Sequence, residues 1–547
     1  MTALLRPDRA GRLALLASLL LFVGLALFGQ HYHWVEEAGS AERDGYVRQA
    51  GQLLAGEIPR DPYRPLFYPL LTAGLSFLTG DPFVAARLIS NAAAAALALL
   101  AYAFGRRLAG PERGPAAGGW AFALVAVNPN LWILGQHVST DMLFAALAAA
   151  ALLAGLAYMD EPRLTTALAG GLALGLAWFT RSNALFLVAA LVAAWWLGRE
   201  GRKGQEGQKG LGHLAAAAAA CALVLVPHWI LREIVFGSPF YDENWKNVAW
   251  KLYGYPDWSY LDRVPFSGLG EVLRQNPGAF LEGGWRELLR FAASGLSQLL
   301  GTGLHVLLFL GGSIVALGRR PRAAVWTLVA GALFLCATAF AFFTWGRLLL
   351  LLLPLAGGLS AQLRVSQRTG DATSRVAGEG RRGRLWAAAG ALLVLLLAIK
   401  TFGYRLPAFV QRHPYEEVAV LRRLDAALPP GVPVAGTSPF LGRYLHGRPY
   451  IDLPDAFGSE VDHPVLYYRK LEGLLAGSGV RYLVIGQLDL RDRPRNLLLP
   501  VGTPPFPGIE PAPEESSRRV AVWRVLPQLA DRPPQRTDPS PFPPTRP

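Results

Sequence analysis

Polar and apolar positions alternate along this chain on the scale of a bilayer. Crossing the hydrocarbon core takes roughly 20 apolar residues, with a range of about 17 to 25. Runs of that kind predict eleven membrane-spanning helices, at 13–29, 83–104, 115–134, 142–158, 164–180, 183–198, 213–233, 297–318, 322–343, 346–362 and 386–404. Two longer polar segments, 30–82 and 234–296, separate them. In the first, Tyr46, Val47, Ala50, Leu53 and Leu54 fall on one stripe, which predicts a helix lying in the membrane interface. Residues 61–70 read as an extended aromatic and proline segment, and a short apolar piece follows at 70–79. Asp81-Pro82 then opens the second span, with Asp as N-cap and Pro at the first helical position. Past 404 the long apolar runs stop. Short β-rich pieces (432–437, 481–486, 520–525) alternate with helical patterns at 415–428 and 464–477, predicting a small α/β domain over 405–528. The tail, 529–547, has the Pro-rich polar composition of a disordered segment.

Composition sharpens this picture. The 547 residues are 52% hydrophobic and only 17% charged, with a mean hydropathy of +0.28. An ordinary soluble domain carries about 25% charged residues, so a soluble enzyme, a disordered chain and a disulfide-framed secreted domain are excluded. The two cysteines, Cys221 and Cys336, lie inside apolar runs and suggest neither a disulfide nor a metal cluster. The net charge of +14 sits mainly in short loops between spans, which points to membrane orientation and away from nucleic acid. With a cytoplasmic N-terminus, the inner loops carry Arg106, Arg107 and Arg113, then Arg163, then Arg199, Arg202, Lys203 and Lys209, then Arg319, Arg320 and Arg322, and finally six arginines between 364 and 384. The short outer turns carry only Arg181 and Arg347. An odd number of spans places 405–528 outside. Arg6, Arg9 and Arg12 precede the first span and no small-residue cleavage site follows it, so it reads as a retained anchor.

Polar residues that carry chemistry gather at the outer ends of the spans: Asp44, Arg87 and Asn91, His137, Asp141, Arg181 and Arg347. No ladder of ionisable groups marks the midplane, where a transporter places its site. The expected site is a cleft at the outer leaflet. Each residue also has a plainer reading. Asp44 and Asp141 suit helix N-caps, Arg87 suits a snorkelling side chain, and Arg181 and Arg347 suit interface anchors. His137 suits a hydrogen-bonded turn. Trp195, Trp196, Trp245, Trp250 and Trp258 suit an aromatic belt, with sugar stacking by Trp258 or Tyr260 as the alternative.

Several of these residues fall into a pattern. Asp44-x-Tyr46-x3-Ala50-x3-Leu54-x-Gly56, followed by Pro65-Leu-Phe-Tyr-Pro69 and Ala85-Ala-Arg87-Leu88, resembles the first outer loop of GT-C glycosyltransferases. The family 39 protein mannosyltransferases and relatives of the bacterial lipid A aminoarabinose transferase are the nearest groups. Ser139-Thr-Asp141, Arg347-Leu…Leu-Leu-Pro354 and Gly237-Ser-Pro-Phe-Tyr…Asn244-x2-Asn247-x-Ala249 also resemble that family. Gly45 follows Asp44 where relatives often carry a second acidic residue.

The resemblance implies a polytopic α-helical fold with a small α/β extracytoplasmic domain. It implies inverting transfer of a sugar from a polyprenyl-phosphate donor to a lipid, glycan or protein acceptor at the outer face of the cytoplasmic membrane. Asp44 is then the general base. Arg87, with Arg347 or Arg181, meets the donor phosphate, and Asp141 supports the cleft or holds a sugar hydroxyl. Tyr46, Tyr68, Asn244 and Asn247 are further contacts to sugar or lipid. No cofactor is expected; a divalent ion between Asp44 and Asp141 is the alternative. The rival functions are a lipid-linked-sugar transporter and a scaffold that has lost catalysis.

Overall fold

In the computed structural model, the residues described are 8–32, 45–61, 63–199, 205–253, 266–344, 346–365, 390–408, 416–436, 445, 448–452, 471–485, 507–512, 514, 516 and 521–531. The chain divides into two compact units. One is helical and includes Asp44–Gly254 and Phe266–Val410; the other includes Gln411–Pro547.

The helical unit contains α1 (Arg9–Tyr32), α2 (Tyr46–Leu54), α3 (Phe67–Thr79), α4 (Pro82–Ala109), α5 (Thr140–Asp160), α6 (Leu164–Thr180), α7 (Gln205–Phe236), α8 (Trp245–Tyr253), α9 (Pro277–Arg290), α10 (Gly303–Arg319) and α11 (Pro321–Ala341), with shorter helices between them. Among the described residues six helices are long and apolar enough to cross a bilayer: Arg9–Gly29, Pro82–Ala109, Thr140–Asp160, Gly210–Phe236, Pro321–Ala341 and Gly390–Ala408. The Pro277–Leu300 and Gly303–Arg319 stretch passes the same test as a pair bent by 100°. The protein is therefore a multi-pass membrane protein.

Local chemistry accounts for the boundaries. Asp81 caps α4 as expected, its Oδ1 accepting from the Phe83 and Val84 amides at 2.7 and 3.3 Å, with Pro82 at the first helical position. Three expectations change. The segment read as extended at 61–70 turns helical from Phe67, because Pro69 falls in the first turn, where its missing N–H has no intrahelical partner to lose. The run at 115–134 is broken. Asn128 ends Gly114–Ala126 and caps Pro129–Leu134, and its Nδ2 donates to the Leu299 carbonyl at 3.0 Å. The run at 346–362 opens as a 3-10 turn, Gly346–Leu349, before the Leu352–Ser360 helix.

Packing ranks the helices. In the most apolar window of α4 and of α5, 67% and 78% of residues are buried, against 22% for α1 and for Gly210–Phe236, so α4 and α5 form the centre and the others face lipid. The alanine-rich stretches allow close approach. At Gly171 on α6, a Cβ would lie 2.1 Å from the Ala217 carbonyl oxygen of α7, so only glycine fits that crossing.

The second unit holds a five-stranded sheet in the order β2-β1-β3-β5-β4. Its strands are β1 (Val434–Gly436), β2 (Tyr450–Asp452), β3 (Tyr482–Ile485), β4 (Ile509–Pro511) and β5 (Ala521–Val525). The β2-β1-β3 edge is parallel, and β5 pairs antiparallel with both β3 and β4. Buried Leu471, Leu475, Leu483 and Trp523 form its core. The β-rich pieces in the sequence thus become strands, and the 415–428 pattern becomes the Glu416–Ala427 helix.

Candidate active site

The site is organised around the first turn of α5. Its N-cap is Ser139, whose Oγ accepts from the Asp141 amide at 3.4 Å and donates to Asp141 Oδ2 at 3.1 Å. Asp141 is therefore not the cap. Its carboxylate, 3% exposed, sits inside the helix end and collects two guanidinium groups from turns distant in sequence. Arg181 Nη1 donates to Oδ1, and Arg347 Nη1 lies 3.9 Å from Oδ2. The positive end of the helix dipole stabilises the carboxylate there. Arg181 and Arg347 keep 23% and 30% of their side chains exposed. Two cations share one carboxylate at a partly open spot.

The first residue of α2, Tyr46, approaches this spot. Asp44 itself lies outside the described residues. The cap position of α2 belongs to Gly45, at φ 70°, a left-handed conformation that glycine adopts without strain. Tyr46 is buried, its hydroxyl 3.1 Å from Thr140 Oγ1, which Arg181 Nη1 also reaches at 3.4 Å. Its ring meets that of Tyr68 edge-on, centroids 5.3 Å apart. Tyr68 is wholly buried, and its hydroxyl donates to the Ala86 carbonyl at 2.8 Å beside Ser90 Oγ at 3.1 Å. Both tyrosines thus hold α2 and α3 against α4 and α5, and burial leaves Tyr68 no access to substrate.

Arg87 is 4% exposed, over the Phe83 ring at 5.7 Å. A Cβ at Gly29 of α1 would stand 3.3 Å from its Nε, so the side chain lies inside the bundle beside α1. One turn on, Asn91 Oδ1 accepts from Gln136 Nε2 at 3.1 Å, and the same amide donates to the Leu25 carbonyl at 3.0 Å.

A second polar junction ties the two long polar segments, 30–82 and 234–296, together. Asn244 Nδ2 donates to the Tyr63 carbonyl at 3.1 Å and to Ser182 Oγ at 3.0 Å, and Asn247 Nδ2 donates to Asn244 Oδ1 at 3.2 Å. Asn244 and Asn247 therefore join the loops beside Arg181. Further participants were not singled out in the sequence. Asp61 accepts from Gln49 Nε2 at 2.7 Å and from Arg64 Nη1 at 2.9 Å, and Arg232 Nη1 donates to the Asp61 carbonyl at 2.7 Å. Lys246 Nζ donates to Glu243 Oε2 at 2.6 Å and to the Tyr63 hydroxyl at 3.1 Å. Burial alone would raise the Glu243 carboxyl, but hydrogen bonds from Lys246, Tyr241 and Tyr63 hold it below the usual range. The alternating polar and aromatic residues of 61–64 and 241–247 were the available signal.

The opposite helix ends carry a separate network. Asp8 pairs with Arg106 at 2.7 Å, while Asp160 pairs with Arg107 at 3.4 Å and with Arg320 at 2.5 Å. The Arg106 guanidinium and the Gly11 amide hold the Asp8 carboxyl below its ordinary value. Among the described residues, no three His, Cys, Asp or Glu side chains stand close enough together to hold a metal ion. Trp258 and Tyr260 lie outside the described residues.

Residues 63–231 match the family model described as dolichyl-phosphate-mannose-protein mannosyltransferase. No curated protein matches the chain by sequence. Among solved structures, ArnT from Cupriavidus metallidurans in the apo state aligns at a TM-score of 0.51 and 15% identity, over 95% of this chain and 100% of that one. The same protein bound to undecaprenyl phosphate gives 0.50 at 15% identity, over 94% and 99%. The apo oligosaccharyltransferase of Archaeoglobus fulgidus aligns at 0.49 and 13% identity, over 86% and 70%. The chain has the fold of the ArnT structures, with many apolar helices and a small sheet in its C-terminal region.

Proposed function

We propose that this protein is an integral membrane glycosyltransferase that moves a sugar, with inversion, from a polyprenyl-phosphate donor to a lipid, glycan or protein acceptor. The observation that carries the reading is the Arg181–Asp141–Arg347 cluster at the head of α5, tied through Thr140 and Tyr46 to the helix that begins directly after Asp44. It is the arrangement a lipid-phosphate leaving group needs. The match of 63–231 to a mannosyltransferase family model, and the likeness to a fold solved with undecaprenyl phosphate, support the same reading.

The acceptor hydroxyl oxygen attacks the anomeric carbon from the face opposite the phosphate, and its proton passes to Asp44. The sugar–phosphate bond breaks, and its electron pair leaves with the polyprenyl phosphate. Arg347 and Arg181 take up the second negative charge that develops there. Asp141 keeps both guanidiniums in place without touching substrate. Arg87 lies buried on α4 over Phe83, Tyr46 and Tyr68 hold α2 and α3 in place, and Asn244 and Asn247 join the loops beside Arg181. No step calls for a metal.

The reading places Asp8, Arg106, Arg107, Asp160 and Arg320 at the cytoplasmic surface of the inner membrane, following the positive-inside rule, with the site and residues 405–528 outside. The clustering of those charges at one set of helix ends supports it. A transporter draws no support, because the polar residues gather at helix ends and not at mid-depth.

The test is sugar transfer by purified protein in lipid with radiolabelled polyprenyl-phosphate sugars, comparing wild type with Asp44→Asn. Wild-type turnover, lost in a folded variant, is the expected result. Equal turnover by both removes Asp44 as the base; movement of lipid-linked sugar across the bilayer without transfer replaces the enzyme by a carrier.

A further inference from the structure

The short turn that presents Arg347 is held from both sides. Gly346–Leu349 is one 3-10 turn, and so short a turn does not fix its own direction. On its C-terminal side Leu348, Leu349, Leu350 and Leu351 are buried in the bundle. On its N-terminal side stands Thr344, three residues before Arg347, and Thr344 is seized by Glu287 of α9. Glu287 Oε2 accepts from the Thr344 amide at 2.9 Å and from Thr344 Oγ1 at 2.9 Å, as well as from Arg290 Nη2 at 2.5 Å.

Glu287 is only 8% exposed. A buried carboxylate is costly unless its hydrogen bonds are made, and two of the three made here go to a single residue on another element. The neighbourhood is packed to match. Trp250 of α8 stacks near Phe342 and Phe343, ring centroids 5.8 and 5.5 Å apart. Gly284, one turn before Glu287, lets α9 press on Phe340, where a Cβ would come within 2.3 Å of the ring. Along another face of α9, Leu281, Trp285 and Leu289 stand 60%, 60% and 56% exposed at a spacing of four residues. That stripe suits the outer leaflet, and Glu287 joins the helix bearing it to the turn bearing Arg347.

We propose that Glu287 is a positioning residue for Arg347. Its carboxylate pins Thr344 and so aims the guanidinium at Asp141 and the donor phosphate. The proposal rests on the reading of Arg347 as a phosphate ligand, and two measurements separate the two ideas.

The first needs no lipid substrate. In purified full-length protein in nanodiscs, Glu287→Gln should speed hydrogen exchange at the Thr344 amide and change the rate at which phenylglyoxal modifies Arg347. Exchange in α4 and α5 should stay as in wild type. Unchanged rates at both positions overturn the proposal whatever the protein's activity.

The second titrates undecaprenyl phosphate in a double-mutant cycle. Glu287→Gln should weaken binding about tenfold in the wild-type background and not at all in Arg347→Ala, since coupled residues are non-additive. Equal weakening in both backgrounds overturns the proposal, because Glu287 then acts elsewhere. Wild-type affinity in Arg347→Ala removes Arg347 as a phosphate ligand, and the first measurement still decides whether Glu287 aims it.

Discussion

The hydroxyls of Tyr46 and Thr140, 94 positions apart in sequence, lie 3.1 Å from each other in the interior of the bundle. One belongs to the helix that follows Asp44; the other sits beside Asp141 and under Arg181. On the proposed mechanism this contact joins the helix that follows Asp44 to the end of the site that would hold the donor phosphate. A buried hydrogen bond of this type contributes about 1 kcal/mol, and its loss loosens the alignment of base and leaving group. Tyr46→Phe should lower kcat for sugar transfer by about five- to tenfold. Thr140→Val should do much the same, and the double variant little more, as steady-state kinetics of all three in nanodiscs will show.

Asp141 and Asp160 give a matched contrast, since each end of α5 carries one carboxylate holding two arginines. Only the first pair faces the proposed chemistry. Asp141→Asn should cut transfer by about 100-fold or more, because it frees both phosphate-binding guanidiniums. Asp160→Asn should leave turnover within about twofold and cost about 1 kcal/mol of stability, as its partly exposed pairs are solvent-screened. Thermal melts and transfer assays on the two variants make the comparison.

Both oxygens of Asp141 are engaged by guanidinium groups, and two cations there repel a third. Transfer should therefore survive EDTA and gain nothing from added Mg2+ or Mn2+. A requirement for either ion would bring back the divalent site that the family resemblance left open.

Lys251 carries a pH signature. Burial lowers its ammonium from 10.5 to about 8, the nearby Glu287 opposing and Arg290 adding to the shift. A lysine with a depressed folded pKa binds fewer protons folded than unfolded between those values. Stability should therefore rise as pH goes from about 8 to about 10 and be flat for this group below that window. Lys251→Met should remove this part of the rise in the melting temperature measured across the window.

The contact at Gly171 tests the packing directly. Backbone atoms of α7 fill the space a side chain would need, so Gly171→Leu forces the helices apart, at a cost of about 3 kcal/mol or more. At Gly119 nothing lies within 4 Å of the Cβ position, so Gly119→Ala should be neutral or stabilise by about 0.5–1 kcal/mol. Unfolding midpoints in mild detergent separate the two.

What the sequence revealed and what it hid divide along a physical line. Asp81-Pro82 was readable because a cap and its helix are neighbours in the chain, and the strands at 482–485 and 521–525 because β-branched runs act locally. The helix Phe67–Thr79 was hidden because the prolines of 61–70 look extended until Pro65 lies outside the helix and Pro69 inside its first turn. Asp141 and Arg347 were visible as polar residues at span ends, but nothing local says that they meet. Glu287 and Lys246 were invisible as site residues, since each sits on a short helix whose amphipathic pattern explains a charge without further partners. Burial, which only the fold supplies, sets them apart.

The two carboxylates of α5 also act as a ruler. Nineteen residues of helix at about 1.5 Å each separate Asp141 from Asp160 by about 29 Å, close to the thickness of a bilayer's hydrocarbon layer. Each end is clamped to other helices by its arginines, so α5 has little freedom to tilt alone. A thicker membrane would draw one cluster into hydrocarbon, and a thinner one would strand apolar surface in water. Lipid chain length should therefore bear on the site at the Asp141 end of α5, as transfer assays across a lipid series will show.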